Sequence, residues 1–185
     1  MNDKYIENMS ETQIKRYEKR LYPTANAHGY FGCSSVNGFL AEGEKLLEVV
    51  TRDLETLNHY NISISKLADR IFNLTSTAIN EMNNIKKTTV IIEEKYEIKV
   101  DICLGWQYCP FSDISDDYIA GRLIHINNHC DRNNLIFSIK NIINGEEIKF
   151  GGLLVHLIKD HHFFEGNVEN RLDPLKIASI LDFHV

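Results

Sequence analysis

The sequence predicts an α+β domain in which an antiparallel sheet packs against long amphipathic helices. Between residues 10 and 85, apolar residues recur at intervals of three and four, the spacing of helices that bury one face. After residue 88 the period changes to two, which is typical of half-buried strands. This order of elements predicts a β-meander of about five strands, an N-terminal helical hairpin and two short C-terminal helices.

The N-terminal part, residues 1–86, is predicted to be helical. Ser10 and Gln13 have the spacing of a capping box, so the first helix begins there and ends before Pro23. The apolar spacing then predicts a helix over 36–60, with Ser34 or Ser35 as its cap, and another over 64–85. Because the connection between them is short, these two helices are expected to form an antiparallel hairpin.

The second part, residues 87–185, contains the predicted sheet and the last helices. Apolar and polar residues alternate from Tyr96 to Leu104 and again from Leu135, and Leu123 to Asn127 is expected to be a further strand. Asn144-Gly145 predicts a tight hairpin turn. A helix is predicted from Leu153 to about His162, and Asp173-Pro174 is expected to cap the last one.

Length and composition predict one globular domain over 1–185 that resides in the cytoplasm. The chain has 185 residues, 43% hydrophobic, and its net charge of −6 makes nucleic acid an unlikely partner. No apolar run approaches the roughly 20 residues of a membrane span, and the N-terminus does not resemble a signal peptide. The four dispersed cysteines are therefore expected to be reduced: Cys33, Cys103, Cys109 and Cys130.

Thiol and imidazole side chains concentrate between residues 103 and 162, and these donors together favour zinc. The candidate ligands are Cys109, His125, His156 and His161. No pair has the close Cys-x-x-Cys spacing that identifies a zinc site from sequence alone. The alternative is that each cysteine is a small buried apolar residue and each histidine a hydrogen-bonded core residue.

Helix geometry gives a more specific expectation for the histidines. His156 and His161 leave a regular helix about 140° apart, which predicts that they do not share an ion. His156 and Asp160 are four residues apart and are expected to converge. His161 falls on the apolar stripe of its helix, so it is expected to face the core. It would be either a ligand that reaches toward the sheet, where Cys103 or Cys109 would lie, or a core histidine with one hydrogen-bond partner.

Three other features have a functional and a structural interpretation. Trp106, Tyr108 and Phe111 cluster at a strand end, which is typical either of a ligand pocket or of a packed sheet corner. Cys33 precedes a predicted helix and would be a nucleophile if His28 or a later histidine served as its base. Arg171 is expected to pair with Glu165 or Asp173 and so to hold the last helix.

Two functional hypotheses follow. The first is a small acidic binding or regulatory module that contacts a protein partner or a small-molecule ligand, since no Walker, Rossmann, nucleophile-elbow or His-Glu-x-x-His pattern occurs. The second is a metal-dependent protein of the zinc type, such as a hydrolase. A homodimer through the second helix is a further expectation, because Gly38 and Gly43 would allow close helix approach.

Overall fold

A computed structural model describes residues 5–23, 37–111, 118–119, 122–123 and 132–184 and confirms the α+β class. The helices are a 3-10 helix Ile6–Asn8, α1 Glu11–Leu21, α2 Leu46–His59, α3 Ile64–Ile85, α4 Leu153–His161 and α5 Pro174–Ile180. The strands are β1 Thr89–Ile92, β2 Tyr96–Tyr108, β3 Tyr118–Ile119, β4 Arg122–Leu123, β5 Arg132–Asn141 and β6 Glu147–Gly151.

The main sheet has four strands rather than five. Its order is β1-β2-β5-β6, and each neighbouring pair is antiparallel. Of the third strand expected over Leu123 to Asn127, only Leu123 is described, and it belongs to the short β4, which pairs with the short β3. Residues 124–131 lie outside the described residues.

The second helix begins at Leu46, ten residues later than the sequence predicted. Gly38 and Gly43 have φ angles of 69° and 82°, a left-handed conformation that an α-helix does not contain. A Cβ atom on Gly38 would lie 2.6 Å from the backbone nitrogen of Pro23, so this glycine is needed for a close chain crossing. Both glycines therefore lie in a loop, and the helix–helix argument for a homodimer is wrong.

The capping box at the start of α1 is confirmed. The Ser10 hydroxyl oxygen accepts a hydrogen bond from the Gln13 backbone nitrogen, and the Ser10 backbone nitrogen donates to the Gln13 side chain at 2.9 Å. We expect Ser10→Ala to lower the free energy of unfolding by about 1 kcal/mol, because the Gln13 backbone N–H loses its acceptor at the start of the helix. Urea denaturation measures this, and Thr12→Ala, an exposed change within α1, is the control that leaves stability nearly unchanged.

The alternation in β2 holds only for its first half. Tyr96, Ile98 and Val100 are buried as predicted, but Ile102 and Leu104 are exposed. The pairing with β5 accounts for Leu104, which lies within a register shift, but not for Ile102, which still pairs in register with Leu135. From Ile102 to Gln107 β2 advances five residues, while the paired residues on β5, Leu135 and Asn133, are only two apart. The extra residues form a bulge, which breaks the alternation and bends the strand.

One hydrophobic core connects the helices to the main sheet. Its buried residues include members of α1 to α5 and of all four strands, so it spans both parts that the sequence separates at residue 86. The domain boundaries themselves remain a prediction. Among the described helices, none is long and apolar enough to cross a bilayer.

Candidate metal centre

Two elements place a cysteine and two histidines against one another. Cys109 directly follows β2, whereas His156 and His161 lie on α4. Their candidate ligand atoms all lie within 4.8 Å of one another. Cys109 is fully buried, His161 is 2% exposed, and His156 is half-buried. The three donors are therefore close enough to bind a single metal ion.

The distance between Cys109 and His161 fits a shared ion. Cys109 Sγ lies 3.4 Å from His161 Nε2. A tetrahedral zinc ion with ordinary Zn–S and Zn–N bond lengths holds its sulfur and nitrogen ligands about 3.5 Å apart. The same separation also suits a hydrogen bond between thiol and imidazole. The site therefore needs no rearrangement of this pair to accept zinc.

Asp160 orients the His156 imidazole. His156 Nδ1 lies 2.8 Å from Asp160 Oδ2, as the four-residue spacing predicted. A carboxylate that accepts the Nδ1 hydrogen selects the tautomer whose lone pair is on Nε2, the nitrogen suited to bind a metal. Carboxylate–histidine pairs of this kind commonly support metal ligands from outside the coordination sphere.

The prediction that His156 and His161 point away from each other is wrong. Their ring centroids are 5.0 Å apart, with the ring planes at 83°. The angle of about 140° describes only the directions in which two side chains leave a regular helix. Each imidazole then turns about two rotatable bonds, so rings at the end of a helix can converge although their Cα–Cβ bonds do not.

The end of α4 separates His161 from His162. His162 takes a left-handed conformation with φ of 57°, and the Phe163 nitrogen donates to the Leu157 carbonyl oxygen, which closes the helix. His162 Nδ1 lies 2.6 Å from Glu7 Oε1, and its ring stacks on Tyr5 at 3.8 Å. His162 therefore anchors the N-terminal segment and does not belong to the cluster.

Aromatic rings pack around the cluster. The Phe111 ring lies 4.6 Å from His161 and contacts Tyr17 and Phe163 edge-to-face. Phe111, predicted as a ligand-binding residue, is 5% exposed and packs in the core beside the cluster. Trp106 and Tyr108 belong to β2, but their side chains lie outside the described part of the structure.

The other predicted residues separate into two groups. Cys103 is exposed and lines a cavity instead of the cluster. His125, the fourth predicted ligand, lies outside the described residues, as do His28, Cys33, His129 and Cys130. A ligand from those segments remains a prediction.

The sequence predicted Glu165 only as a partner for Arg171. The structure pairs Arg171 with Asp53 instead, at 2.6 Å, and Arg171 also donates to the backbone oxygen of Glu165. The Glu165 side chain is 4% exposed, and its Oε2 has no hydrogen-bond partner in the described structure. The only signal in the sequence was an acidic residue between two phenylalanines and a glycine, which does not predict burial.

Comparison with known proteins finds no matching family model, no matching curated protein and no matching solved structure. The functional argument therefore rests on the geometry of the chain itself.

Proposed function

We propose that this protein binds one zinc ion through Cys109, His156 and His161 and uses it in a hydrolytic reaction. The observation that carries the proposal is the convergence of the three donor atoms within 4.8 Å. A thiolate with two imidazoles suits zinc, while magnesium and calcium prefer oxygen ligands. Asp160 would hold His156 in the tautomer that binds the ion.

Within the described ranges the cluster offers three ligands, and this number favours a catalytic role. Zinc with three protein ligands keeps one position for water and lowers the pKa of that water to about 7, which makes it a nucleophile for hydrolysis. The His156 and Asp160 side of the cluster approaches the surface, since the Asp160 side chain is 39% exposed. A substrate would reach the ion from that side.

The first experiment measures metal content by elemental mass spectrometry on protein purified without a histidine tag or chelator. We expect about one zinc per chain in the wild type and little in His161→Ala or Cys109→Ser, because each change removes a ligand. His184→Ala, which removes an exposed histidine, is the matched control and keeps its zinc. Asp160→Asn is expected to weaken zinc affinity by about 10-fold to 100-fold.

A second measurement distinguishes a catalytic from a structural ion. If His125 supplies a fourth ligand, His125→Ala loses zinc and the ion is structural. If water occupies that position, His125→Ala keeps zinc, and the protein hydrolyses 4-nitrophenyl acetate with a rate that rises near pH 7. A wild type that binds no metal, with a melting temperature unaffected by zinc or chelator, contradicts the proposal and favours the binding or regulatory module.

A further inference from the structure

A cavity of about 510 Å³ lies at the end of the sheet where β2 loses its register with β5. Its size is within the range of about 300–1,000 Å³ that is typical of small-molecule pockets. None of the three proposed zinc ligands lines it. The lining residues that matter here are Gln107, Asn133, Leu135, Ile136, Glu165 and Asn170.

Glu165 is the unusual group in the wall of this cavity. Its Oε2 is buried without a hydrogen-bond partner in the part of the chain that the structure describes. Burial raises the pKa of Glu165 to about 8, although the positive charge of Arg171 acts in the opposite direction. A buried carboxyl group without a donor destabilises a fold, so a donor that arrives with a ligand would satisfy it.

The turn that carries Glu165 is fixed from several sides. The Gly166 nitrogen donates to the Phe39 carbonyl oxygen at 2.7 Å, and the Asn167 nitrogen donates to Glu44 Oε2 at 2.8 Å. Glu165 itself has a φ of 67°, a conformation that is strained for a residue other than glycine. The hydrogen bonds of Gly166 and Asn167 thus hold the turn that places Glu165 at the cavity wall.

Two glycines lie beside amide side chains of this lining. A Cβ atom on Gly152 would lie 2.3 Å from Asn133 Oδ1, so a larger residue there would displace this amide. Asn133 Oδ1 accepts from the Leu135 nitrogen at 2.8 Å, which fixes its orientation. A Cβ on Gly151 would lie 3.5 Å from Gln107 Oε1, an ordinary contact. The Asn133 amide therefore has a defined position in the lining.

The wall combines one buried acid with apolar and neutral polar surface. Phe150 and Leu154 are each only 2% exposed, so the half-buried Leu135 and Ile136 offer the apolar surface of the lining. The other two charged residues of the lining, Lys149 and Glu169, are of opposite sign and exposed, so an ionised Glu165 leaves the cavity with one net negative charge. This arrangement is complementary to a small monocation with an apolar body.

We propose that this cavity binds a small primary amine with an apolar body, whose ammonium group donates a hydrogen bond to Glu165. The ammonium group would replace the missing donor at Oε2, and the apolar body would lie on Leu135 and Ile136. A charge-assisted bond of this type forms only with an ionised carboxylate. The site is separate from the zinc ligands, so its test is independent of the zinc proposal.

Phenethylamine and 2-phenylethanol are the probes, because they share a phenyl body and differ in the charged group. Titration calorimetry and saturation-transfer NMR on the full chain measure their binding. At about pH 8.5, above the Glu165 pKa of about 8, we expect the wild type to bind the amine at least about tenfold more tightly than the alcohol, since hydrogen bonds to charged groups are worth more than neutral ones. Glu165→Gln removes this preference, and Glu169→Gln, at an exposed residue of the same lining, retains it.

A second variant tests the location. Asn170 is exposed and lines the cavity, so Asn170→Trp fills part of the cavity without disturbing the core. This variant is expected to lose amine binding while circular dichroism and melting temperature stay those of the wild type. Equal binding of amine and alcohol by the wild type overturns the proposal. Amine binding that survives both Glu165→Gln and Asn170→Trp overturns it as well.

Discussion

Replacing Arg171 with methionine is expected to lower the free energy of unfolding by about 3 to 5 kcal/mol, because it leaves a buried carboxylate without its main partner. Arg171 Nη2 lies 2.6 Å from Asp53 Oδ1, and the Asp53 side chain is only 3% exposed. Arg171 also donates to the backbone oxygen of Glu165. One side chain therefore connects α2 to the turn that follows α4, and urea denaturation measures its loss.

The chain contains its own control for this effect. Arg52 Nε lies 3.3 Å from the same Asp53 oxygen, but the Arg52 side chain is 52% exposed. Solvent screens an exposed ion pair, so Arg52→Met is expected to cost less than about 1 kcal/mol. The double variant Asp53→Asn with Arg171→Met should recover part of the loss, since no charge remains buried. Equal costs for Arg52→Met and Arg171→Met would contradict the buried ion pair.

Glu165→Gln is expected to have the opposite effect and to stabilise the protein at neutral pH by about 3 kcal/mol. The pKa of Glu165 is raised by burial from 4.5 to about 8, so folding must neutralise a carboxylate that the unfolded chain ionises at pH 7. Glutamine has nearly the same shape and carries no charge, so its folding is not coupled to the uptake of a proton.

The raised pKa of Glu165 makes the free energy of unfolding depend on pH. Between pH 4.5 and 8 the folded chain keeps the Glu165 proton that the unfolded chain releases, so the free energy of unfolding falls as the pH rises. The slope from this group is about 1.4 kcal/mol per pH unit, and the effect ends above the folded pKa. Below pH 4.5 the wild type and Glu165→Gln should have nearly equal stability.

Urea denaturation at pH 4, 5, 6, 7 and 8 checks this, with the difference between the two proteins as the measured quantity. Other titrating groups cancel in that difference, since both proteins contain them. Glu169→Gln, at an exposed position, should follow the wild-type curve at every pH. Parallel curves for the wild type and Glu165→Gln would show that Glu165 ionises normally in the folded protein.

Local signals explain how much of the fold was predictable. The Ser10 capping box, the Asn144-Gly145 turn and the Asp173-Pro174 start of α5 all depend on residues within a few positions of one another, and all are confirmed. The second helix was predicted too early because apolar spacing alone does not register the positive φ at Gly38 and Gly43. The loss of alternation at Leu104 in β2 depends on pairing with β5, which a single strand's sequence does not contain.

The candidate site was predictable only in part, for a similar reason. The pairing of His156 with Asp160 and the inward direction of His161 follow from positions on one helix, and both are observed. The meeting of these histidines with Cys109 depends on how α4 packs against the end of β2. The burial of Glu165 likewise depends on a turn held by Phe39 and Glu44, far away in the sequence.

The contact between Cys109 and His161 joins residues separated by 52 positions. An ion held by both would close a loop of that length in the folded chain. Because the unfolded chain lacks the preformed site, the free energy of metal binding would add to the free energy of unfolding. The loop includes β5 and β6 and most of α4. A metal at this position would therefore tie the end of β2 to the end of α4, quite apart from any reaction it supports.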